Sequence, residues 1–557
     1  MTISTPPGRP PRGDGTPAAV PHARPGERRV RQAVFALAAL VAIAPVLLVR
    51  RPPVLDLAPQ AGQARLLLET LGGDGSGSEI AWLAPNKIAY PLLVLGWLGG
   101  GEAWGARLGL LLCMAAALGG IHLLAARFGR PPESALAASV FLFSSALYGG
   151  FFNFAIGGLA FALWAAELER DERAPVRAWR SAPVALALGA LLWVSHLLWL
   201  LAAAALTVLE LLVRPAARRT RLLRLAALAP FLVAAAVWQA TVADPQWRTG
   251  VTYRSPPLLR AVDPDFLLPE LLGGVRGALE PATLAALAAW CGAGLAWRRA
   301  AAPAGRVSPA LARIGLLLAA AALVLPTSFG QTAQLATRWL PWAALCAVLA
   351  CPPPPLARRA RLALAGALFA AFVAVTAAIW TRAERDELAH FETALAGVPP
   401  STLLLGLDLE RESRWFRRAA TPNLHHYAAL ERDARLAFGF DQLPSSLVLR
   451  RGASEDPGWD YGRPTYLFSL RGARLRPFQH LLLHARSAAQ AEFGERFPRW
   501  RRRAGAGHWL LWENPSPVDA PGPGRRRPQL GSDENASAAA SRSSTEATVR
   551  PVRRSKR

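Results

Sequence analysis

Long apolar runs, separated by short arginine-rich segments, fill the first two thirds of the chain. Several runs are shorter than the roughly 20 residues that a perpendicular helix needs to cross the hydrocarbon, so their boundaries are approximate. We predict spans at about 33–49, 105–126, 134–148, 153–168, 181–195, 196–213, 222–242, 282–298, 310–326, 339–352 and 362–381. The pattern therefore predicts a polytopic α-helical membrane protein with about eleven spans.

The stretch 86–100 is apolar but too short to cross, and it contains Pro91. If it stays at the surface, the basic segments between the later runs share one side with the N-terminal tail. The positive-inside rule assigns that side to the cytoplasm. We therefore expect the N-terminus inside, an outward loop over 50–104 and the C-terminus outside.

The last part of the chain changes character after the final apolar run. Alternating strand and helix patterns over 382–514 predict a small extracytoplasmic α/β domain, separable from the transmembrane domain over 33–381. The stretch 1–32 is rich in Pro, Gly and Arg, and 515–557 in Pro, Ser, Ala and Arg. Such compositions predict a disordered tail at each end.

The charge balance has two possible explanations. The 557 residues are 52% hydrophobic and carry 63 Lys+Arg against 38 Asp+Glu, a net charge of +25, which could indicate nucleic-acid binding. Because the arginines lie mostly beside apolar runs, we predict instead a membrane-lipid partner and no nucleic acid. Arg50 and Arg51 directly follow the first run, which indicates an uncleaved span and a multi-pass protein of the inner (plasma) membrane.

No group of residues shows the spacing of a metal site. The four cysteines lie in or at the ends of apolar runs, and we interpret them as buried small hydrophobes. His425 and His426 are adjacent, whereas two zinc ligands on one helix need i,i+4 spacing. We interpret these histidines as surface or capping residues and predict no cofactor, since the sequence does not indicate a divalent metal.

Four features of the membrane part form one pattern. Asp56 follows the first span in the outward loop, and the amphipathic segment "ARLLLETLG" comes next. The element "APNKIAYPLL" leads into a span with Arg107 near its start and "ARFGR" at its exit. With "FLFSSALYGGFFNFAIGGLAFALW" and "ATRWLPWAAL" further on, residues 30–381 resemble the GT-C superfamily of integral-membrane glycosyltransferases, in particular uncharacterised bacterial members.

The resemblance implies that the loop acid is a general base or helps to bind a metal. A sugar hydroxyl is a weak nucleophile, and a carboxylate within hydrogen-bond reach can take its proton as the anomeric carbon is attacked. Asp56 fits this role by its position, between Pro53 and Pro59, which limit the freedom of the loop. The alternative is a loop Asp that caps the helix beginning near Gln60.

The resemblance also implies a polyprenyl-phosphate sugar as donor, and its phosphate needs a fixed cation. Arg338 is predicted at the outer end of a late span; the alternative is an interfacial Arg that reaches the headgroups. Lys87 either contacts phosphate or anchors the juxtamembrane element. Arg248 and Arg254 lie in an outward loop that either binds the acceptor or is simply solvated. His196 lies within an apolar run, where polar groups tend to be paired or functional.

The sequence thus predicts a glycosyltransferase of the cell envelope that moves a hexosyl or pentosyl group from a polyprenyl-phosphate donor to an extracytoplasmic acceptor. The alternative is a non-catalytic or transport membrane protein that handles lipid-linked sugars. A transporter is expected to show internal repeats and charges at the membrane midplane. The chain shows no clear repeat and few such charges, which favours the transferase.

Overall fold

The computed structural model describes residues 25–74, 77–173, 178–214, 218–242, 249–253, 255–297, 307–330, 332–410, 412–418, 421–437, 439–443, 445–450 and 475–517. In chain order the helices are α1 Pro25–Ala42, α2 Ala44–Leu48, α3 Leu57–Gly72, α4 Tyr90–Arg127, α5 Pro132–Ala138, α6 Ser145–Tyr148, α7 Phe152–Arg173, α8 Ala178–Ser195, α9 Leu197–Val213, α10 Arg218–Val242, α11 Pro264–Leu271, α12 Leu279–Ala296, α13 Pro309–Val324, α14 Trp339–Ala350, α15 Arg358–Glu387, α16 Phe391–Ala396, α17 His426–Arg432 and α18 Ser487–Arg496. The strands are β1 Ser78–Ile80, β2 Thr249–Thr252, β3 Ser328–Gly330, β4 Leu403–Asp408, β5 Arg435–Leu436, β6 Val448–Arg450, β7 His480–His484, β8 Arg501–Ala506 and β9 Trp509–Glu513.

Five helical stretches in the described ranges are long and apolar enough to cross a membrane: Gly26–Leu48, Tyr90–Arg127, Arg218–Thr241, Leu279–Ala296 and Arg358–Glu387. Four shorter apolar helices accompany them, at Ala182–Ser195, Leu197–Val213, Pro309–Val324 and Trp339–Ala350. The chain is therefore a multi-pass membrane protein. Ten of the eleven predicted runs fall in helices, and the run 134–148 does not form a continuous one.

The run 134–148 is broken into α5, a 3₁₀ turn over Ser139–Phe143 and α6. Ser144 separates the last two with an extended backbone (φ −86°, ψ 174°). Residues 132–147 are all buried, and Pro131 just before them is half-buried. Irregular backbone is tolerated among membrane helices where surrounding protein covers it. The prediction of a regular span here was wrong because apolar composition alone does not distinguish a lipid-facing helix from a protein-covered segment.

The first helix starts earlier than predicted. It begins at Pro25, inside the stretch 1–32 that we expected to be disordered. Proline suits the first turn of a helix, and Glu27 pairs with Arg31 one turn later at 2.7 Å. The remaining residues of both predicted tails, 1–24 and 518–557, lie outside the described residues.

Helix α4 consists of two arms that fold back on each other at Gly101. This residue has φ 54° and ψ −150°, a backbone conformation that is essentially restricted to glycine. A Cβ on Gly105 would lie 2.9 Å from the Trp97 Cα, so the two arms are in direct backbone contact. The first arm, from Tyr90 to Gly100, is about 16 Å long, roughly half the hydrocarbon thickness.

The C-terminal part contains a five-stranded sheet in the order β5–β4–β7–β9–β8. Strand β4 is parallel to β5 and β7, whereas β9 is antiparallel to β7 and β8. The patterns "LLLGLD", "HLLLH" and "WLLWE" are nearly continuous apolar runs, as expected for strands covered on both faces. Leu405, Leu481 and Phe493 of α18 belong to one core on one face, while Leu404 and Leu482 belong to the larger core that continues into the membrane part.

The C-terminal part is joined closely to the loop after the first span. The Arg51 side chain is 4% exposed and binds the carboxylates of Glu392 (Nε–Oε1 2.7 Å) and Glu431 (Nη2–Oε2 2.8 Å). Strand β1 in this loop pairs with β6, and the Gln63 side chain accepts a hydrogen bond from the Val448 amide. One hydrophobic core runs through both parts. The expectation of a separable domain is therefore not supported, because its removal would uncover this core.

Candidate active site

A cavity of about 210 Å³ lies where the ends of several apolar helices meet. It is lined at the start of α4, at the start of α7, between α8 and α9, near the end of α10 and just before α14. These positions supply Tyr90, Asn153, His196, Trp238 and Arg338. Successive helices thus bring widely separated polar residues to one end of the bundle.

Asp56 lies on the wall of this cavity at the residue before α3. It occupies the capping position of that helix, but its carboxylate makes no capping hydrogen bond. Its Oδ1 instead accepts a hydrogen bond of 2.8 Å from the side-chain amide of Asn423. The structure therefore does not support the capping alternative for this acid.

The turn between α6 and α7 fixes the position of Asp56. Gly150 has φ +73°, and a Cβ on it would lie 2.6 Å from the Asp56 Cβ. The Leu55 amide also donates to the Tyr148 carbonyl at 2.8 Å. The backbone on both sides of the acid is therefore held against this turn, which limits where the carboxylate can move.

Arg338 lines the same cavity and is 7% exposed. Its Nη2 donates to the Ala333 carbonyl at 2.8 Å, and its guanidinium lies over the Phe151 ring at 3.7 Å from the centroid. Its buried Nε has no hydrogen-bond partner. No direct ion pair joins it to Asp56 within the described residues. A cation fixed in this way, with one donor unused, is suited to bind an anionic group.

His196 contacts Arg338 and shapes the same wall. Its Nε2 lies 3.2 Å from the Arg338 Nη1, and its Nδ1 accepts from the Leu198 amide at 3.1 Å, which caps α9. Both ring nitrogens face donors, so the ring is held neutral and can accept from only one of them at a time. When Nδ1 accepts from Leu198, Nε2 carries the proton, so His196 packs against the guanidinium without accepting a hydrogen bond from it.

The environment of the cavity gives Asp56 and Arg338 different protonation behaviour near neutral pH. Burial raises the pKa of Asp56 to about 7, whereas the Asn423 hydrogen bond and the Arg338 charge act in the opposite direction. Burial lowers the pKa of Arg338 to about 10, with the Asp56 charge opposing that effect. At neutral pH the arginine is thus cationic, while the carboxyl group is poised between its two protonation states.

Lys87 lies close to the cavity but is not part of its lining. Its Nζ donates to the Ser445 carbonyl at 3.1 Å and lies over the Tyr90 ring at 5.8 Å from the centroid. Burial lowers the pKa of Lys87 to about 7. Of the two alternatives for this residue, the structure favours the anchor, because its ammonium group holds the segment at Ser445 that covers the cavity. Arg248 and Arg254 lie outside the described residues.

Sequence reasoning missed the part of the site that comes from the C-terminal region. Asn423, Phe440, Ser445 and Ser446 all reach the cavity or Asp56 itself. The Asn423 contact joins residues 367 positions apart, and no local spacing in the sequence signals it. The only indication was that the region is polar and was expected on the same side as Asp56.

The adjacent histidines were also misassigned. His426 is buried with 4% exposure, and His425 is half-buried with its Nδ1 3.0 Å from the Pro422 carbonyl. His426 is therefore not a surface residue, whereas His425 occupies the capping position of α17 but makes no side-chain capping hydrogen bond. Within the described residues, no group of three or more His, Cys, Asp or Glu could hold a metal ion.

Comparison with solved structures shows a similarity in overall structure. The chain is similar to the crystal structure of ArnT from Cupriavidus metallidurans bound to undecaprenyl phosphate, with a TM-score of 0.49 and 13% sequence identity over 89% of this chain and 99% of that chain. No family model and no curated protein matches the sequence. At this identity, the residues of the cavity have to be interpreted from their own contacts.

Proposed function

We propose that the protein is a glycosyltransferase that transfers a sugar from a polyprenyl-phosphate donor to an extracytoplasmic acceptor. One observation carries the proposal: Asp56 and Arg338 line one cavity, and within the described residues no direct ion pair joins them. A structural acid and a structural arginine at this depth would be expected to neutralise each other. Because the two groups are not paired with each other, a base and an anion-binding cation remain available to a substrate bound in the cavity.

Asp56 is the proposed general base. A base works best when its pKa lies near the operating pH, because it is then both deprotonated and able to hold a proton. Burial raises the pKa of Asp56 into this range. The single hydrogen bond from Asn423 orients the carboxylate and leaves Oδ2 without a protein partner in the hydrogen bonds observed. The Asp56 carboxylate is thus held in one orientation and can still accept a further hydrogen bond.

Arg338 is the proposed ligand of the donor phosphate. The acceptor oxygen forms a bond to the anomeric carbon, its proton passes to Asp56, and the bond between that carbon and the phosphate oxygen breaks. The electron pair leaves with the phosphate, which becomes a monoester and gains negative charge. A fixed cation stabilises this developing charge, and the Ala333 carbonyl and the Phe151 ring keep that cation in place.

The proposed orientation places the cavity on the extracytoplasmic side of the inner membrane. The predicted cytoplasmic N-terminus and outward C-terminus support it, and so does the gathering of polar residues at one end of the helices. At the opposite helix ends, arginines pair with acids, for example the half-buried Arg313 with the buried Glu210 at 2.7 Å. The apolar helices provide the surface along which a polyprenyl chain would lie.

The test uses purified full-length protein in lipid with a synthetic polyprenyl-phosphate sugar, and it measures release of polyprenyl phosphate and transfer of the sugar. Arg338→Gln should slow cleavage by about 10²-fold and raise the KM for the donor, with Arg338→Lys in between. Exposed Arg414 offers a matched control, and Arg414→Gln should behave as wild type. Movement of intact donor across the bilayer without cleavage would support transport and contradict the proposal.

A further inference from the structure

A second cavity of about 150 Å³ lies on the other side of α3 from Asp56. Helix α3 supplies Pro59 and Gly62 to this cavity, whereas Asp56 and Gln60 line the first one. Phe440 lines both cavities and is their shared wall. Because α3 rises about 1.5 Å per residue, Pro59 is only about 4.5 Å along the helix from the proposed base.

The charges around the second cavity balance in number, since three arginines, Arg65, Arg435 and Arg450, and three carboxylates, Glu69, Asp433 and Asp441, line it. Arg65 binds Glu69 at 2.6 Å and Asp433 at 3.1 Å, and Arg450 binds Asp441 at 3.1 Å. An anionic ligand would meet three carboxylates, and a cationic ligand would meet the arginines. Each paired group keeps further lone pairs or N–H groups that can bind hydroxyls. The cavity is therefore suited to a neutral ligand with many hydroxyl groups.

His426 gives the second, independent indication of a ligand. It lines the cavity, is 4% exposed, and its buried Nε2 has no hydrogen-bond partner. A buried polar atom without a partner is costly, and a bound hydroxyl would relieve that cost. The ring also lies edge-to-face with Phe440, at 6.3 Å between centroids. A polar pocket beside an aromatic wall is suited to a sugar ring, which has polar edges and an apolar face.

We propose that this cavity binds a neutral sugar residue of the acceptor glycan, next to the residue that receives the transferred sugar. The identification of the bound sugar as part of the acceptor rests on the proposed function, whereas the binding of a neutral sugar does not depend on it. Seated between α3 and α17, the bound residue directs its neighbour past Phe440 towards Asp56. Specificity for the acceptor would then come from the C-terminal region, and the chemistry from the helix ends.

Gly62 allows the cavity to be filled without disturbing the fold. A Cβ there would meet only Leu430 Cδ2, at 4.0 Å, which is an ordinary contact, and replacing a helical glycine favours the helix. Saturation-transfer NMR on full-length protein in lipid would use neutral methyl hexosides and pentosides as probes. The wild type and Gly62→Ala should give signals, and Gly62→Phe should weaken binding by about tenfold.

A second variant tests whether the cavity selects neutral over charged sugars. Asp441→Asn leaves the Arg450 charge without its carboxylate, so binding should shift from neutral glycosides towards glucose 6-phosphate. Asp56→Asn should keep the neutral-sugar signal, which separates a failure of this site from a failure of the proposed reaction. The inference is overturned if no neutral probe binds, if Gly62→Phe binds as well as Gly62→Ala, or if the wild type prefers charged sugars.

Discussion

The Asn423–Asp56 hydrogen bond should set the pH dependence of transfer. A general base acts when deprotonated, so the rate is lost as pH falls through its pKa. With the pKa of Asp56 at about 7, the wild-type rate should rise between about pH 6 and 8 and then level off. An ordinary aspartate, with a pKa of about 3.9, would give a flat profile over this range.

Asn423→Ala removes the donor that lowers this pKa, so the profile should move to higher pH. Hydrogen bonds to charged groups contribute about 1.5–3 kcal/mol, and one pKa unit corresponds to about 1.4 kcal/mol. Because Asp56 is only half-buried and water can replace the amide in part, we take the lower limit, about one unit. At pH 7 the deprotonated fraction then falls from about one half to about one tenth, a loss of about fivefold.

The assay is initial-rate transfer at saturating donor between pH 5.5 and 9.5, values that bracket the expected midpoints by about 1.5 units. Asn514→Ala is the matched control, since Asn514 is also nearly buried but donates to the Phe478 carbonyl, away from the cavity. The variant should recover to near wild-type rates at high pH. A midpoint that stays in place or moves down, or a flat wild-type profile, would refute the assignment of Asp56 as the titrating base.

Three further predictions concern the framework of the site. Gly150→Ala should lower stability by about 1–3 kcal/mol and abolish transfer, because the positive φ of Gly150 and its 2.6 Å approach to Asp56 leave no room for a methyl group. As a control, Gly292→Ala should leave the melting temperature unchanged or slightly higher, since Gly292 faces open space. Arg51→Met should destabilise by about 2–3 kcal/mol, because Glu392 and Glu431 lose their buried partner and keep only the exposed Arg50. Arg50→Met, at a side chain that is 59% exposed, should cost under about 1 kcal/mol, as measured by thermal unfolding. Equal effects would contradict a structural role for the buried Arg51 ion pairs. A single cysteine on α18 should react with impermeant reagents only from the extracytoplasmic side, and labelling from the cytoplasm alone would reverse the proposed topology.

The positions of the membrane helices follow from the sequence because composition alone decides whether a segment is stable in lipid. The same rule fails at 134–148, where neighbouring helices cover the backbone and allow the irregular path through Ser144. It also does not show that α4 folds back at Gly101. That turn depends on the backbone freedom of one glycine and on contact between two arms, which hydropathy does not record.

The candidate site was predictable only in its membrane part. Asp56 could be found because it is an acid directly after the first predicted span, and Arg338 because it lies at the predicted outer end of a late span. Asn423 and Phe440 could not, since they come from a region whose local pattern indicates only a helix and a loop. Their role depends on how the C-terminal part packs on α3, and long-range packing leaves no spacing in the sequence.

The most direct test of the central claim is transfer by Asp56→Asn, measured from a polyprenyl-phosphate sugar by purified protein in lipid. The amide keeps the shape of the side chain but cannot accept the proton, so transfer should nearly vanish. Burial that raises a carboxyl pKa makes the folded state bind its proton more tightly than the unfolded state does, so this group lowers stability as pH rises from about 4 to 7. The variant should therefore fold at least as stably as the wild type at pH 8. Near-normal transfer by this folded variant would show that Asp56 is not the base.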